Sequence, residues 1–166
     1  MSRFLVAYAS KMGSTREIAE VIGAELLAAG HDVDVATAGA VRSVDGYDAV
    51  VLGSAVYTGR WRPEAVRLLR RHQAALRDRQ VWLFHSGPCG AEHGQEPVEP
   101  PRAVARLAEQ ISAVPPVTFG GRLEPRTAKG FLARRMATGP LAGDYRDWDL
   151  VRRWARRVAG QRVRQR

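Results

Sequence analysis

The sequence has little of several residue types that define common classes of protein. Cys89 is the single cysteine in 166 residues, which excludes an intrachain disulfide and a zinc site built on several cysteines. Lysine occurs only at positions 11 and 129, so arginine provides nearly all of the 26 basic residues. With 17 acidic residues, the formal net charge is +9. This charge favours anionic partners, and nucleic acid, anionic lipid, an acidic protein and a phosphorylated or carboxylated small molecule are all compatible with it.

The sequence also lacks a membrane span, a secretion signal and a metal-binding pattern. No apolar run approaches the roughly 20 residues that a membrane-spanning helix needs. The N-terminus enters a strand pattern without a charged and apolar leader, so we expect a cytoplasmic protein. The length suits one domain over residues 1–166, with a flexible basic tail at 162–166. His31, His72 and His93 lack metal-ligand spacing with carboxylates or the cysteine, so no metal is predicted.

Apolar runs alternate with helical patterns along the chain. Strands are predicted at 4–8, 33–36, 49–52, 81–84 and 117–119, and helices at 15–29, 63–76, 101–112 and 148–159. Three of the apolar runs lack polar alternation, which is typical of parallel strands covered on both faces. The pattern therefore predicts an α/β fold, a doubly wound five-stranded parallel sheet with strand order 2-1-3-4-5.

The segment between the first strand and the first helix is the most informative part of the chain. It reads Ser10-Lys11-Met12-Gly13-Ser14-Thr15 and contains no acidic residue. A helix N-terminus presents free backbone N–H groups and the positive end of its dipole, so hydroxyls and a glycine there predict a phosphate-binding loop. The alternative is a capping box, in which Ser14 and Glu17 merely satisfy the helix end.

Two further loops are predicted at the same edge of the sheet, where ligands of such folds bind. The loop at 53–61 contains Tyr57 and Trp61, whose rings either stack on a planar cofactor or only cover the sheet edge. The loop at 85–94 is rich in glycine and proline. His85 begins it, and a hydrogen-bonded structural histidine is favoured there over a contact with a bound ring.

These segments resemble the flavodoxin-like superfamily, whose members bind FMN. The resemblance lies in Ser10 to Thr15 after the first strand and in Gly53-Ser54-Ala55-Val56-Tyr57 after the third. Within the superfamily the chain is most similar to the menaquinone-dependent protoporphyrinogen oxidase branch. That similarity lies in Gly53 to Trp61, Phe119-Gly120-Gly121-Arg122-Leu123 and Asp147-Trp148.

The resemblance implies an FMN site made of three loops. The first loop would hold the phosphate through its hydroxyls and through the N–H groups of Met12 and Gly13, with Lys11 adding charge. The other two loops would flank the ring system, and no catalytic side chain is predicted because the flavin supplies the redox chemistry. The predicted cofactor-binding residues are Ser10, Lys11, Met12, Gly13, Ser14, Thr15, Ser54, Ala55, Val56, Tyr57, Thr58, Gly59, Ser86, Gly87, Pro88, Cys89 and Gly90.

The resemblance implies an FMN-dependent oxidoreductase that passes electrons to a quinone or another small-molecule acceptor. One alternative is a flavodoxin-type electron carrier with an acidic redox protein as partner, and another is a basic, non-enzymatic binding module. Nucleic acid is disfavoured because the aromatic residues are not interleaved with the basic tail. The basic and apolar segment Arg126 to Met136 either rests peripherally on the inner face of the membrane or packs on its own domain. The sequence does not indicate an oligomeric state.

Overall fold

The computed structural model describes residues 1–87, 97–139 and 142–163, in which strands and helices alternate. None of the helices in these ranges combines the length and apolar character needed to cross a bilayer. The elements are β1 (Arg3–Ala9), α1 (Ser14–Ala28), β2 (Asp32–Thr37), β3 (Ala49–Tyr57), β4 (Arg60–Trp61), α2 (Pro63–Arg71), α3 (Gln73–Arg77), β5 (Gln80–Ser86), α4 (Arg102–Gln110), β6 (Val114–Phe119), β7 (Arg122–Leu123), α5 (Phe131–Met136), β8 (Gly143–Asp144) and α6 (Trp148–Ala159).

The central sheet confirms the predicted strand order. Its long strands run parallel in the order β2-β1-β3-β5-β6, which is 2-1-3-4-5 when the long strands alone are numbered. α1 and α6 pack on one face of the sheet, through side chains such as Ile18, Ile22 and Trp154. α2, α3 and α4 cover the other face, through side chains such as Leu69 and Leu107. Burial on both faces explains the uninterrupted apolar runs of the central strands.

The carboxyl ends of β1, β3 and β5 lie side by side. In the parallel registers Ala9 pairs with Ser54, and Ala55 pairs with Ser86. The segments that follow these strands therefore leave the sheet at one edge, where the sequence predicted the ligand site.

The segment after the third strand is a β-hairpin and not the predicted loop. β3 continues to Tyr57, turns through Thr58 and Gly59, and pairs antiparallel with β4. Both turn residues have positive φ, 47° and 70°, as in the type I′ turns that join strands through two residues. The sequence did not indicate this turn because threonine is an uncommon residue at positive φ.

Residues 120–147, called the inserted segment here, separate β6 from α6, and only the stretch Arg126 to Met136 within them showed near-helical spacing in the sequence. The inserted segment contains α5 and the small antiparallel sheet of β7 and β8. Gly120 allows the segment to fold back, because a Cβ there would lie 1.9 Å from the backbone oxygen of Tyr145. Met12 of the first loop packs against the small core of the inserted segment. That core consists of Leu123, Ala128, Ala133 and Ala137.

Candidate cofactor site

The loop between β1 and α1 is compact and leads directly into the helix. The Gly13 N–H, predicted as a phosphate donor, donates to Ser10 Oγ over 2.9 Å and so closes a short turn. Gly13 is the N-cap of α1 and has a φ of 90°, a left-handed conformation that disfavours residues with a Cβ. The capping-box interpretation is wrong, because no side chain among the described residues caps α1 and Glu17 binds arginines instead.

Two adjacent hydroxyls at the start of α1 are buried but differ in their hydrogen bonding. Ser14 is 8% exposed, and its Oγ has no hydrogen-bond partner among the described residues. Thr15 is fully buried, and its Oγ1 lies 2.6 Å from Ser86 Oγ, at the end of β5. A buried hydroxyl without a partner is costly, so Ser14 Oγ is a group that a polar ligand would satisfy.

A cluster of ion pairs anchors the inserted segment at the N-terminus of α1. Glu17 accepts hydrogen bonds from Arg122 Nη1 and Nη2 over 3.3 and 3.0 Å, and from Arg146. Arg146 also donates to both carboxylate oxygens of Asp144 and lies 4.6 Å from the Trp148 ring centre. Partial burial acts to raise the pKa of Glu17, but the hydrogen bonds and charges of the two arginines hold that pKa below its usual value. Glu17 therefore stays ionised at neutral pH.

The hairpin forms a second side of the site. Tyr57 OH donates to Met12 Sδ over 3.6 Å, and Lys11 Nζ lies 5.0 Å from the centre of the Tyr57 ring. Tyr57 therefore bridges the hairpin and the first loop. Gly59 lies at the hairpin turn. The hairpin residues that line the cavity between these segments are Ala55, Val56, Tyr57 and Thr58.

Three polar or aromatic groups near the hairpin have structural roles. Ser54 Oγ accepts from the N–H of Arg62 over 2.8 Å, which fixes the backbone between β4 and α2. Trp61 is buried, and its indole N–H donates to His85 Nδ1 over 3.2 Å. His85 Nε2 lies 2.9 Å from Thr118 Oγ1, and burial lowers the pKa of this histidine. His85 is thus a neutral, hydrogen-bonded histidine, and Trp61 packs in the core under the sheet edge.

The third predicted loop is described in part. Ser86 and Gly87 line the cavity. Pro88, Cys89 and Gly90, which were predicted to bind the cofactor, lie outside the described residues. In the described ranges no three His, Cys, Asp or Glu side chains converge in a way that could hold a metal ion.

The loops and the inserted segment enclose a cavity of about 600 Å³. Ser10, Lys11, Met12, Ser14 and Thr15 line it from the first loop. The other wall of the cavity was not predictable, because no sequence pattern shows that the inserted segment returns to the first loop. That wall is formed by Gly121, Arg122, Leu123, Lys129, Gly130, Phe131, Leu132, Ala133 and Met136.

Comparison with protein families decides what kind of site this is. Residues 5–129 match the family model described as a flavodoxin domain. The chain belongs to the flavodoxin family. Membership of this family implies FMN as the cofactor, in agreement with the prediction from the sequence. No curated protein matches this flavodoxin-family chain.

Solved structures share the fold of this flavodoxin-family protein at low sequence identity. Oxidised flavodoxin 2 from Bacillus cereus has a TM-score of 0.64 and 19% identity, over 95% of this chain and 97% of that one. A flavodoxin, WrbA-like protein from Agrobacterium tumefaciens has a TM-score of 0.56 and 17% identity, over 96% of both chains. Rubredoxin oxygen:oxidoreductase from Desulfovibrio gigas has a TM-score of 0.64 and 14% identity, over 96% of this chain. This chain spans 35% of that larger protein.

The described residues fit the phosphate end of FMN. The unpartnered Ser14 hydroxyl, the N-terminus of α1 and a loop without acidic residues between positions 9 and 16 together suit an anion. Ser14 and Thr15 would hold the phosphate, and Tyr57 and Gly87 would flank the ring system. These residue roles, like the rest of the predicted set, stay predictions.

Proposed function

We propose that this protein is an FMN-dependent oxidoreductase, similar to the protoporphyrinogen oxidase branch, that oxidises a small organic substrate and passes the electrons to a quinone or another acceptor. FMN, when bound, accepts and releases the electrons. The residues of this chain hold the cofactor, cover it and bind the substrate beside it. The observation that carries the proposal is the apolar wall that the inserted segment adds to the cofactor cavity.

The apolar wall suits a substrate better than it suits a simple electron carrier. Phe131, Leu132 and Met136 line the cavity and are still largely exposed, with 82% of Phe131 accessible to solvent. Exposed apolar area next to a polar loop gains free energy when an organic molecule covers it. An electron carrier needs only an accessible flavin edge and a docking surface, so the additional wall favours the oxidoreductase.

The test replaces the apolar wall and measures turnover. The purified protein is loaded with FMN, and the oxidation of protoporphyrinogen is followed with a soluble quinone as acceptor. The double variant Phe131→Ser and Leu132→Ser should raise KM by roughly tenfold, because each side chain contributes part of the free energy of its burial against substrate. Leu27→Ser, which changes an exposed leucine outside the cavity lining, is the matched control. Absence of turnover, or an equal KM in both variants, would contradict the proposal.

A flavodoxin-type carrier is the second candidate, and the match of residues 5–129 to a flavodoxin domain is the observation that favours it. The net charge of +9 argues against this role unless the partner is itself acidic. In this role an acidic redox protein would dock beside the cavity, where Lys11 and Lys129 are exposed. Electrostatic docking predicts that the electron-transfer rate to such a protein increases as ionic strength decreases. Stopped-flow measurements with an acidic redox protein and with a quinone separate the two candidates by which acceptor reacts faster.

A peripheral contact with the cytoplasmic face of the membrane belongs to the same proposal. Along the chain, exposed Lys129, Arg134 and Arg135 flank the exposed apolar residues Phe131 and Leu132. Apolar and basic groups on one surface act together on an anionic bilayer. Cosedimentation with anionic vesicles should fall in high salt and with neutral lipid. If vesicle binding is the same in high salt and with neutral lipid, the membrane contact is refuted.

A further inference from the structure

Arg122 is held rigidly at the entrance of the inserted segment. It begins β7, two residues after Gly120, whose backbone packs against Tyr145. The Tyr145 N–H donates to the Gly121 oxygen over 3.0 Å, which fixes the backbone next to Arg122. The Arg122 side chain is 15% exposed. Its position is therefore determined by the fold of the inserted segment.

The Arg122 guanidinium lies beside the phosphate loop. Its Nη2 is 3.8 Å from the point that a Cβ on Gly13 would occupy, and Arg122 lines the same cavity as Ser14 and Thr15. Arginine has five N–H donors, and the hydrogen bonds to Glu17 use one on each Nη. The Nε is buried and has no partner among the residues that the structure describes. The guanidinium thus retains donor capacity at the cavity that the buried, unpartnered Ser14 hydroxyl also lines.

Glu17 has two effects at the site: it holds Arg122 by hydrogen bonds, and its negative charge requires a compensating cation. A carboxylate in the first turn of α1 repels an anion bound at the same helix end. Arg122 and Arg146 neutralise Glu17 through direct hydrogen bonds, while Arg146 also pairs with Asp144. Without Arg122, the loop would lose a cation and would expose the charge of Glu17 to the phosphate.

We propose that Arg122 is a phosphate-binding residue of the FMN site, presented to the first loop by the inserted segment and kept in place by Glu17. The inference rests on FMN as the cofactor and not on the oxidoreductase function. It assigns to the inserted segment a contact with the cofactor. Arg122, which makes this contact, lies 105 positions from Glu17 in the sequence. Charge-assisted and bidentate hydrogen bonding makes arginine well suited to a phosphate.

The test compares FMN with riboflavin, which lacks the phosphate. Each ligand is titrated into apoprotein, with flavin fluorescence or calorimetry as the readout. Arg122→Leu should weaken FMN binding by roughly 10- to 100-fold, because a hydrogen bond to a charged group is lost, and should change riboflavin binding less than about threefold. Arg126→Leu removes the same charge from an exposed position of the inserted segment outside the cavity lining, and should leave both affinities unchanged.

Two further variants separate phosphate binding from structural support. Arg122→Gln keeps a donor for Glu17 and removes the charge, so it should again weaken FMN selectively even if Arg122→Leu fails to fold. Adding Glu17→Gln to Arg122→Gln should restore part of the lost FMN affinity, because it removes the exposed carboxylate. Equal losses for FMN and riboflavin, or no loss for either, would overturn the proposal. A wild-type protein that binds neither ligand would overturn the cofactor assignment with it.

Discussion

The adjacent hydroxyls of Ser14 and Thr15 lead to opposite predictions for stability. Ser14 Oγ is buried without a partner in the described residues, whereas Thr15 Oγ1 is hydrogen-bonded to Ser86 Oγ. Ser14→Ala removes an unsatisfied group, so it should stabilise the apoprotein by on the order of 1 kcal/mol. Thr15→Val keeps the side-chain shape but leaves the buried Ser86 hydroxyl without its bond, so it should destabilise the apoprotein by about 1–3 kcal/mol.

FMN binding should respond differently from stability. Both hydroxyls are predicted to contact the phosphate, and a hydrogen bond to a charged group contributes about 1.5–3 kcal/mol. Each variant should therefore lose roughly 10- to 150-fold in FMN affinity. Ser14→Ala would then combine a more stable apoprotein with a weaker cofactor site, which is a pattern that general damage to the fold cannot produce.

Urea denaturation of apoprotein and flavin titration of the same samples measure the two effects. Ser112→Ala is the matched control for loss of a hydroxyl, because Ser112 is exposed and does not line the cofactor cavity. If Ser14→Ala destabilised the apoprotein by about 1 kcal/mol and left FMN affinity unchanged, the Ser14 hydroxyl would be neither unsatisfied in the apoprotein nor bound to the phosphate.

Three further predictions follow from backbone geometry and burial. Gly120→Ala places a Cβ against the Tyr145 backbone, so it should destabilise the fold by about 1–3 kcal/mol. Trypsin should then cleave the inserted segment faster, and an unchanged cleavage rate would contradict the contact. Gly13→Val forces a branched residue into a left-handed backbone conformation, at a cost of at least about 1–2 kcal/mol. It should therefore weaken FMN binding more than Gly13→Ala does, and equal FMN affinities of the two variants in a flavin titration would contradict the prediction. Burial lowers the pKa of His85, so the unfolded state binds the proton first and the free energy of unfolding should fall as pH drops below about 6.5. His85→Gln should make that fall shallower in urea titrations at about pH 7 and about pH 5, and an equally steep fall would exclude His85 as its source.

The long elements of the fold could be predicted from the sequence because their patterns are strong. Central strands covered on both faces require uninterrupted apolar runs, and the amphipathic stripe of α6 places Trp154 and Val158 on the sheet. The hydroxyls of the first loop were predicted to bind a phosphate because a helix N-terminus that follows a parallel strand is a common anion-binding site. The apolar runs, the amphipathic stripe and the loop hydroxyls are each formed by residues close together in the chain, so they can be recognised from a single sequence.

The inserted segment could not be predicted for equally physical reasons. β7 and β8 are two residues each, too short to show a period, and the near-helical spacing over Arg126 to Met136 did not indicate where the six-residue α5 packs. The approach of Arg122 to Glu17 depends on the Gly120 backbone meeting Tyr145, which is a tertiary contact without a sequence pattern. The hairpin turn was missed because Thr58 adopts a conformation that its residue type disfavours.

The first loop and the N-terminus of α1 are in direct contact with the inserted segment. Met12 packs on the small core of the inserted segment, and Glu17 binds arginines from both ends of that segment. We therefore expect that disrupting these contacts also weakens a ligand bound at the first loop, and that such a ligand stabilises the contacts by the same coupling free energy. The inserted segment also provides the apolar wall, so the first loop and the wall line one cavity and share these contacts. Binding of FMN should consequently organise the wall as well as fill the loop.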